Sequence, residues 1–340
     1  MAQPEWAYTR RLIAEPKQNP VRSRPGGVFC EPAADCPDAP PMSSNSPPGA
    51  MPPLPSTLTL REALTLAAMA GLPALEARML LSHVTGFTRT QLITRDHDQL
   101  NEAQRDAFAT MLARRLTGEP MAYLLGEREF FGRTFRVTPD VLIPRPDTEV
   151  AAEASLARLA GIHAPRVLDM GTGSGVLAVT IARERPDAEV WATDISRGAL
   201  MVAQDNARAL QADNIRFLVS DWYHALPPGQ RFHLIVSNPP YIAAGDPHLA
   251  EGDLRFEPID ALTDHEDGLT DLQAIVTGAT ARLLPQGWLL MEHGYDQGYA
   301  TRHLLTSAGF AEVFTARDLG GNERCSGGRV PDKSPGDTPT

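Results

Sequence analysis

Arg166-Val167-Leu168-Asp169-Met170-Gly171-Thr172-Gly173-Ser174-Gly175 runs from an apolar strand candidate into a glycine-rich turn, and 176–184 continues at helical spacing. Glycines so placed let the backbone turn tightly and lie against a ligand. A dinucleotide-binding turn would space them G-x-G-x-x-G. Here the third glycine comes one residue early, at Gly175, and Val176 stands next to it. Outward from this turn the chain alternates. Strand candidates fall at 166–170, 190–193, 215–219, 232–237 and 288–292, and helix candidates at 176–184, 197–210, 269–284 and 297–308. Such alternation predicts an α/β domain with a mostly parallel sheet covered on both faces and joined by right-handed crossovers. Segments 311–317 and 327–330 are expected to close it with an antiparallel edge.

The shortened spacing favours the G-x-G-x-G loop of adenosylmethionine enzymes, which predicts a Rossmann-like, class I adenosylmethionine-dependent methyltransferase domain. Gly171, Thr172, Gly173, Ser174 and Gly175 form the loop, and Asp169 is available to the methionyl ammonium. Asp194 follows the second strand, where a carboxylate can accept both ribose hydroxyls. Asp221 and Trp222 follow the third, where they can accept from the adenine amino group and flank its ring. Each falls at the carboxyl end of a strand, the side on which open α/β sheets bind ligands.

After the fourth strand comes Asn238-Pro239-Pro240-Tyr241. An ordinary turn would explain an Asn-Pro step taken alone. Beyond the cofactor set it suits a different task, presenting acceptors to a planar NH2 group. The Asn238 side-chain oxygen and a carbonyl before a rigid proline can each take one proton, and the Tyr241 ring can stack on the flat group. The target is then an amide or an exocyclic base amine, made more reactive by fixing both protons while the nitrogen becomes tetrahedral. No side chain is committed as general base: His224, His233, Asp246 and His248 read as surface or strand packing.

Of the 340 residues 42% are hydrophobic, enough for a good core and two domains plus tails. The formal charge of -11 disfavours a protein held to nucleic acid by neutralising many phosphates. Cys30, Cys36 and Cys325 give no disulfide framework, and Cys30 and Cys36 lack the partners of a zinc site, so a reduced, cytoplasmic setting with no metal is expected. No secretory segment opens the chain, and no apolar run reaches membrane-spanning length. Residues 1–55 are proline-dense and read as a disordered extension, within which Met42 or Met51 is a candidate start. Residues 56–117 read as a small helical bundle, with start signals at Thr59-x-x-Glu62, Thr88-x-x-Gln91 and Asn101-x-x-Gln104. Residues 118–149 read as a hairpin linker ending in a helix capped near Asp147. The methyltransferase domain spans 150–330, and 331–340 form a loose tail.

At this point the chain resembles the protein-(glutamine-N5) methyltransferases that act on class I peptide chain release factors, the PrmC/HemK-like family. The resemblance rests on Gly118-Glu119-Pro120 with Tyr123, 126–130, 143–149, the glycine loop and Asn238 to Tyr241, with Glu257-Pro258, Ala261-Leu262, Asp267-Gly268-Leu269 and Asn322-Glu323-Arg324 in support. It implies methyl transfer from S-adenosyl-L-methionine to the glutamine amide of a Gly-Gly-Gln motif. It also implies that Gly171 to Gly175, Asp194, Trp222 and Asn238 contact the cofactor, that Asn238, Pro239, Pro240 and Tyr241 hold the glutamine, and that the helical domain of an expected monomer grips the release factor. Three alternatives stay open. One is a sister enzyme acting on a ribosomal-protein glutamine. The second is an adenine-N6 DNA methyltransferase working on a flipped base, against which the acidic balance and the lack of room for a DNA-reading domain both count. The third is a non-catalytic binding module.

Overall fold

The computed structural model describes residues 55–332. The expectations for the proline-rich extension, for Cys30 and Cys36 and for the tail past 332 lie outside the described residues.

Four helices come first: α1 (Leu60–Met69), α2 (Ala74–Thr85), α3 (Arg89–Thr94) and α4 (Glu102–Leu116). Reciprocal capping boxes open α1, α3 and α4 at Thr59, Thr88 and Asn101, each satisfying two amides the helix cannot. Leu60, Leu80, Leu81, Phe108 and Leu112 bury their side chains at the centre of this bundle. The linker holds a helix the sequence pattern did not announce, α5 (Met121–Leu125), set between Pro120 and left-handed Gly126. The hairpin β1 (Glu127–Phe130) and β2 (Arg133–Arg136) follows, reversing at Phe131 and Gly132, both at positive φ.

Asp147 does not cap the next helix, contrary to expectation. Pro146–Thr148 forms a 3-10 turn running straight into α6 (Glu149–Arg158), whose start has no side-chain cap, and Asp147 instead pairs with Arg324 at 3.1 Å. The extended position ahead of the turn is taken by Arg145, and Asp147 lies inside the turn rather than at its cap.

The sheet domain contains β3 (Arg166–Met170), α7 (Val176–Glu184), β4 (Glu189–Asp194), α8 (Arg197–Ala209), β5 (Ile215–Val219), β6 (Phe232–Ser237), α9 (Thr270–Arg282), β7 (Leu283–Glu292), α10 (Gly298–Ser307), β8 (Ala311–Arg317) and β9 (Glu323–Arg329). Its strand order is β5-β4-β3-β6-β7-β9-β8, parallel from β5 to β7 and antiparallel at the β7-β9-β8 edge. Strand β7 starts well before 288, with Gln286 at positive φ and a register shift opposite Phe232 and Leu234, and this shortens α9. Strand β9 likewise starts at Glu323, ahead of the expected 327. Successive β3 side chains enter opposite core layers: Val167 joins Leu177, Val179 and Ile181, while Leu168 and Met170 join Leu272 and Ile275. The chain order reverses between β3 and β6, so a crevice opens at their carboxyl ends.

Candidate active site

The glycine turn leaves β3 with Gly171, Gly173 and Gly175 at φ of 65°, 55° and 86°. L-residues rarely adopt this region. The glycines have different neighbours. A Cβ on Gly175 would lie 3.1 Å from the Ala203 Cβ, so this glycine lets α8 pack on the turn, whereas one on Gly173 would meet nothing within 4 Å. Gly173 faces a cavity of about 600 Å3 that Gly171, Thr172 and Ser174 also line.

Asp169 braces the turn from below. Its Oδ2 accepts from the Thr172 hydroxyl at 2.6 Å and from the Ala178 amide at 3.0 Å. Its Oδ1 is buried without a partner, and burial pushes the carboxyl up to about 7. Asp194 ends β4, and its two oxygens accept from the Gly173 and Ser196 amides, each at 2.9 Å. Each oxygen keeps a second acceptor direction, and the residue lines the cavity. Asp221 and Trp222 line it too. Trp222 sits at φ 40°, its carbonyl held by the Ser220 hydroxyl at 2.8 Å. Asp271, Asp260 and Asp264 complete this wall from the segment beyond the acceptor motif. The sequence reading missed all three, since no local pattern ties an acidic residue in this segment to a turn so far upstream.

The acceptor tetrapeptide is anchored by the Ser237 hydroxyl, which donates to the Met170 carbonyl at 2.8 Å and joins the ends of β6 and β3. Asn238 lines both the large cavity and a neighbouring one of about 60 Å3. Pro240 lines only the large cavity, and Pro239 and Tyr241 only the small one. The motif is thus a partition between two chambers. The Asn238 Nδ2 donates to the Thr148 hydroxyl at 3.3 Å, and Oδ1 has no partner among the described residues. The Tyr241 hydroxyl donates to Glu292 Oε1 at 3.4 Å, and the Tyr241 carbonyl accepts from Gln297 Nε2 at 2.9 Å. Arg145 also borders both chambers. It is held by Glu257, whose fully buried carboxylate pairs with it and accepts from the Ile143 amide at 2.9 Å.

The side chains set aside as bases stay out of both chambers. His233 Nδ1 accepts from the Arg166 amide at 2.9 Å, His224 is exposed, and Asp246 pairs with His248 at the surface. Among the described residues no cluster of metal-ligating side chains occurs, and no helix is long and apolar enough to cross a membrane.

Residues 59–126 match the model of the PrmC N-terminal domain, and residues 147–251 that of the methyltransferase small domain. The release factor glutamine methyltransferase of Burkholderia pseudomallei is 56% identical over 265 residues, covering 76% of this chain and 93% of that protein. The namesake from Bordetella pertussis is 58% identical over 258 residues (76% and 95%), and that of Escherichia coli 46% over 270 (79% and 97%). The chain belongs to the release factor glutamine methyltransferase family. It is an S-adenosyl-L-methionine-dependent enzyme, and the residues present fit that cofactor: an unpartnered buried carboxylate oxygen for a cation, glycines whose missing Cβ atoms leave the turn open, and a chamber of suitable size.

Proposed function

We propose that the protein methylates the side-chain amide nitrogen of the glutamine in the Gly-Gly-Gln motif of class I peptide chain release factors. The observation that carries this reading is Asn238, which lines both a cofactor-sized chamber and a small one and whose Oδ1 is uncommitted among the described residues. The bound cofactor supplies an electrophilic methyl on sulfonium. The remaining chemistry falls to the chain. Gly171 to Gly175 cradle the methionyl end and Asp169 Oδ1 takes its ammonium. Asp194 receives the ribose hydroxyls, and Asp221 and Trp222 receive the adenine. Asn238 Oδ1 and a main-chain carbonyl of the Pro239-Pro240 step accept the two N–H protons of the glutamine amide. Tyr241 and Pro239 shape the small chamber around it.

Fixing both protons draws electron density onto the nitrogen and holds it in line with the methyl, the two contributions a neutral amide needs. Methylation makes that nitrogen strongly acidic, so no basic side chain is required to remove its proton. The bundle of 56–117 and the linker of 118–149 would grip the client, leaving 150–330 for the chemistry. A release factor client implies a cytoplasmic enzyme, and the proposal takes it to act as a monomer.

Incubation with labelled S-adenosyl-L-methionine tests the substrate directly. Label should enter purified class I release factor and vanish when its Gly-Gly-Gln glutamine is replaced by alanine. Label entering a ribosomal protein or DNA but not release factor would overturn the reading.

A further inference from the structure

The stretch 143–149 carries part of the family resemblance, yet the mechanism above gives its Arg145 no task. Seven aspartates line the large chamber, and among the lining residues Arg145 is the single arginine, with no lysine beside it. The one histidine there, His265, pairs with Asp260 at 2.7 Å. An acidic wall of this kind draws in a cationic ligand. S-adenosyl-L-methionine brings two positive centres, its ammonium and its sulfonium, but also a carboxylate that the same wall repels. The ammonium, the ribose and the adenine have side chains assigned to them above. The carboxylate has none.

Arg145 is held at both ends. Pro144 and Pro146 flank it, and its own backbone is extended, at φ -99° and ψ 142°. Proline rings on either side leave that backbone little freedom. At the far end of the side chain, Nη2 bonds to Glu257 Oε1. The Glu257 side chain is fully buried, and its other oxygen accepts from the Ile143 amide at 2.9 Å. Glu257 thus ties the guanidinium back to the stretch of chain that carries it. Nε and Nη1 have no hydrogen-bond partner among the described residues, and a guanidinium fork matches a carboxylate. The side chain stays 30% exposed, so a ligand can reach it.

We propose that Arg145 binds the carboxylate of the cofactor and that Glu257 is the positioning residue that aims it. This rests on the methionyl end lying at the glycine turn, as given above. The rival reading is a latch, in which Arg145 and Glu257 only fasten the approach to α6 to the segment beyond the acceptor motif. A latch keeps the chamber in shape for any ligand. A carboxylate site separates ligands by that one group.

Calorimetry on the full chain tests this with two ligands, S-adenosyl-L-homocysteine and its decarboxylated form, which keeps the ammonium and lacks the carboxylate. Wild type should prefer the first by about tenfold to a hundredfold, the weight of a charge-assisted hydrogen bond. Arg145→Met keeps the apolar stem and should erase that preference, binding the decarboxylated ligand nearly as wild type does. Glu257→Gln should narrow the preference, and Asp169→Asn should weaken both ligands alike, since both keep the ammonium. A wild type without preference would overturn the proposal. So would an Arg145→Met that loses affinity for both ligands equally, because the latch would then be the whole role. Unchanged affinity for both in Arg145→Met, with a raised KM for release factor, would give the guanidinium to the client instead. An Asp169→Asn that weakened neither ligand would remove the placement of the methionyl end, and the carboxylate site with it. Should Arg145→Met fail to fold, Arg145→Gln takes its place: a preference as wide as that of wild type is fatal there.

Discussion

The two walls of the site are built in opposite ways. On the cofactor side, Asp169, Thr172 and Ala178 hold the glycine turn within a single strand-turn-helix, and Thr193, Asp194 and Asn206 reach it from the adjoining β4 and α8. On the acceptor side, Thr148, Asn238, Tyr241 and Glu292 arrive from the turn before α6, the end of β6 and the end of β7. The first wall is local and its polar groups brace the backbone. The second is assembled only by the finished sheet, and its polar groups orient one another. Local construction suits a ligand whose shape never changes. Assembly from distant segments suits a position where one atom must point one way.

The sharpest way to break this contrast is Asn238→Ala. It should reduce kcat by about a hundredfold to a thousandfold, the usual loss when a preorganised polar group at the reacting atoms is removed. Cofactor affinity, read by calorimetry, should stay close to wild type, because the cradle does not depend on residue 238 for its shape. A parallel loss of cofactor binding would mean that the two walls are one unit. Asp169→Asn is the converse. It should weaken cofactor binding by about tenfold to a hundredfold, because an amide NH2 can then occupy the place where Oδ1 awaits a cation. At saturating cofactor, kcat should recover.

This division also explains what the sequence alone revealed. The glycine turn, Asp169, Asp194, Asp221, Trp222 and Asn238 could be picked out because each lies at or just past the carboxyl end of a strand whose apolar run marks that end. The capping boxes at Thr59, Thr88 and Asn101 were readable because a window of four residues carries the whole signal. Thr148, Glu257 and Glu292 drew no functional reading, since their meaning lies in what crosses to them from elsewhere in the sheet. Glu292 in particular ends an apolar strand and resembles any exposed strand terminus. Asp147 was misread as a cap because a carboxylate beside a helix start is usually one, and its pairing with Arg324 depends on β9. Helix α5 escaped because its five residues are too few to show a period.

Within the cradle, the glycines should separate by neighbour. Gly175→Ala should destabilise the fold by about 1–3 kcal/mol, through strain at positive φ and the contact with Ala203. Gly173→Ala meets open space and should cost about 1–2 kcal/mol from its backbone alone, while obstructing the chamber. Thermal denaturation with and without cofactor checks both. Equal stabilisation of the two variants by cofactor would contradict the assignment of Gly173 to the chamber wall.

The smallest expected effect compares the two buried acids by pH. Burial raises Asp169 from 3.8 to about 7 and Glu292 from 4.5 to about 7. Between those limits the folded protein keeps protons that the unfolded chain has released, so these groups make stability fall as pH rises through the window. Asp169→Asn and Glu292→Gln should each flatten part of that fall. Cofactor then distinguishes them. An ammonium placed at Asp169 Oδ1 favours the carboxylate, so cofactor affinity should rise with pH up to about 7 in wild type and in Glu292→Gln. The rise should be absent in Asp169→Asn, which has no proton to lose. A rise that disappears in Glu292→Gln instead would place the cation on the wrong wall, and with it the whole distinction between a wall that binds and a wall that aims.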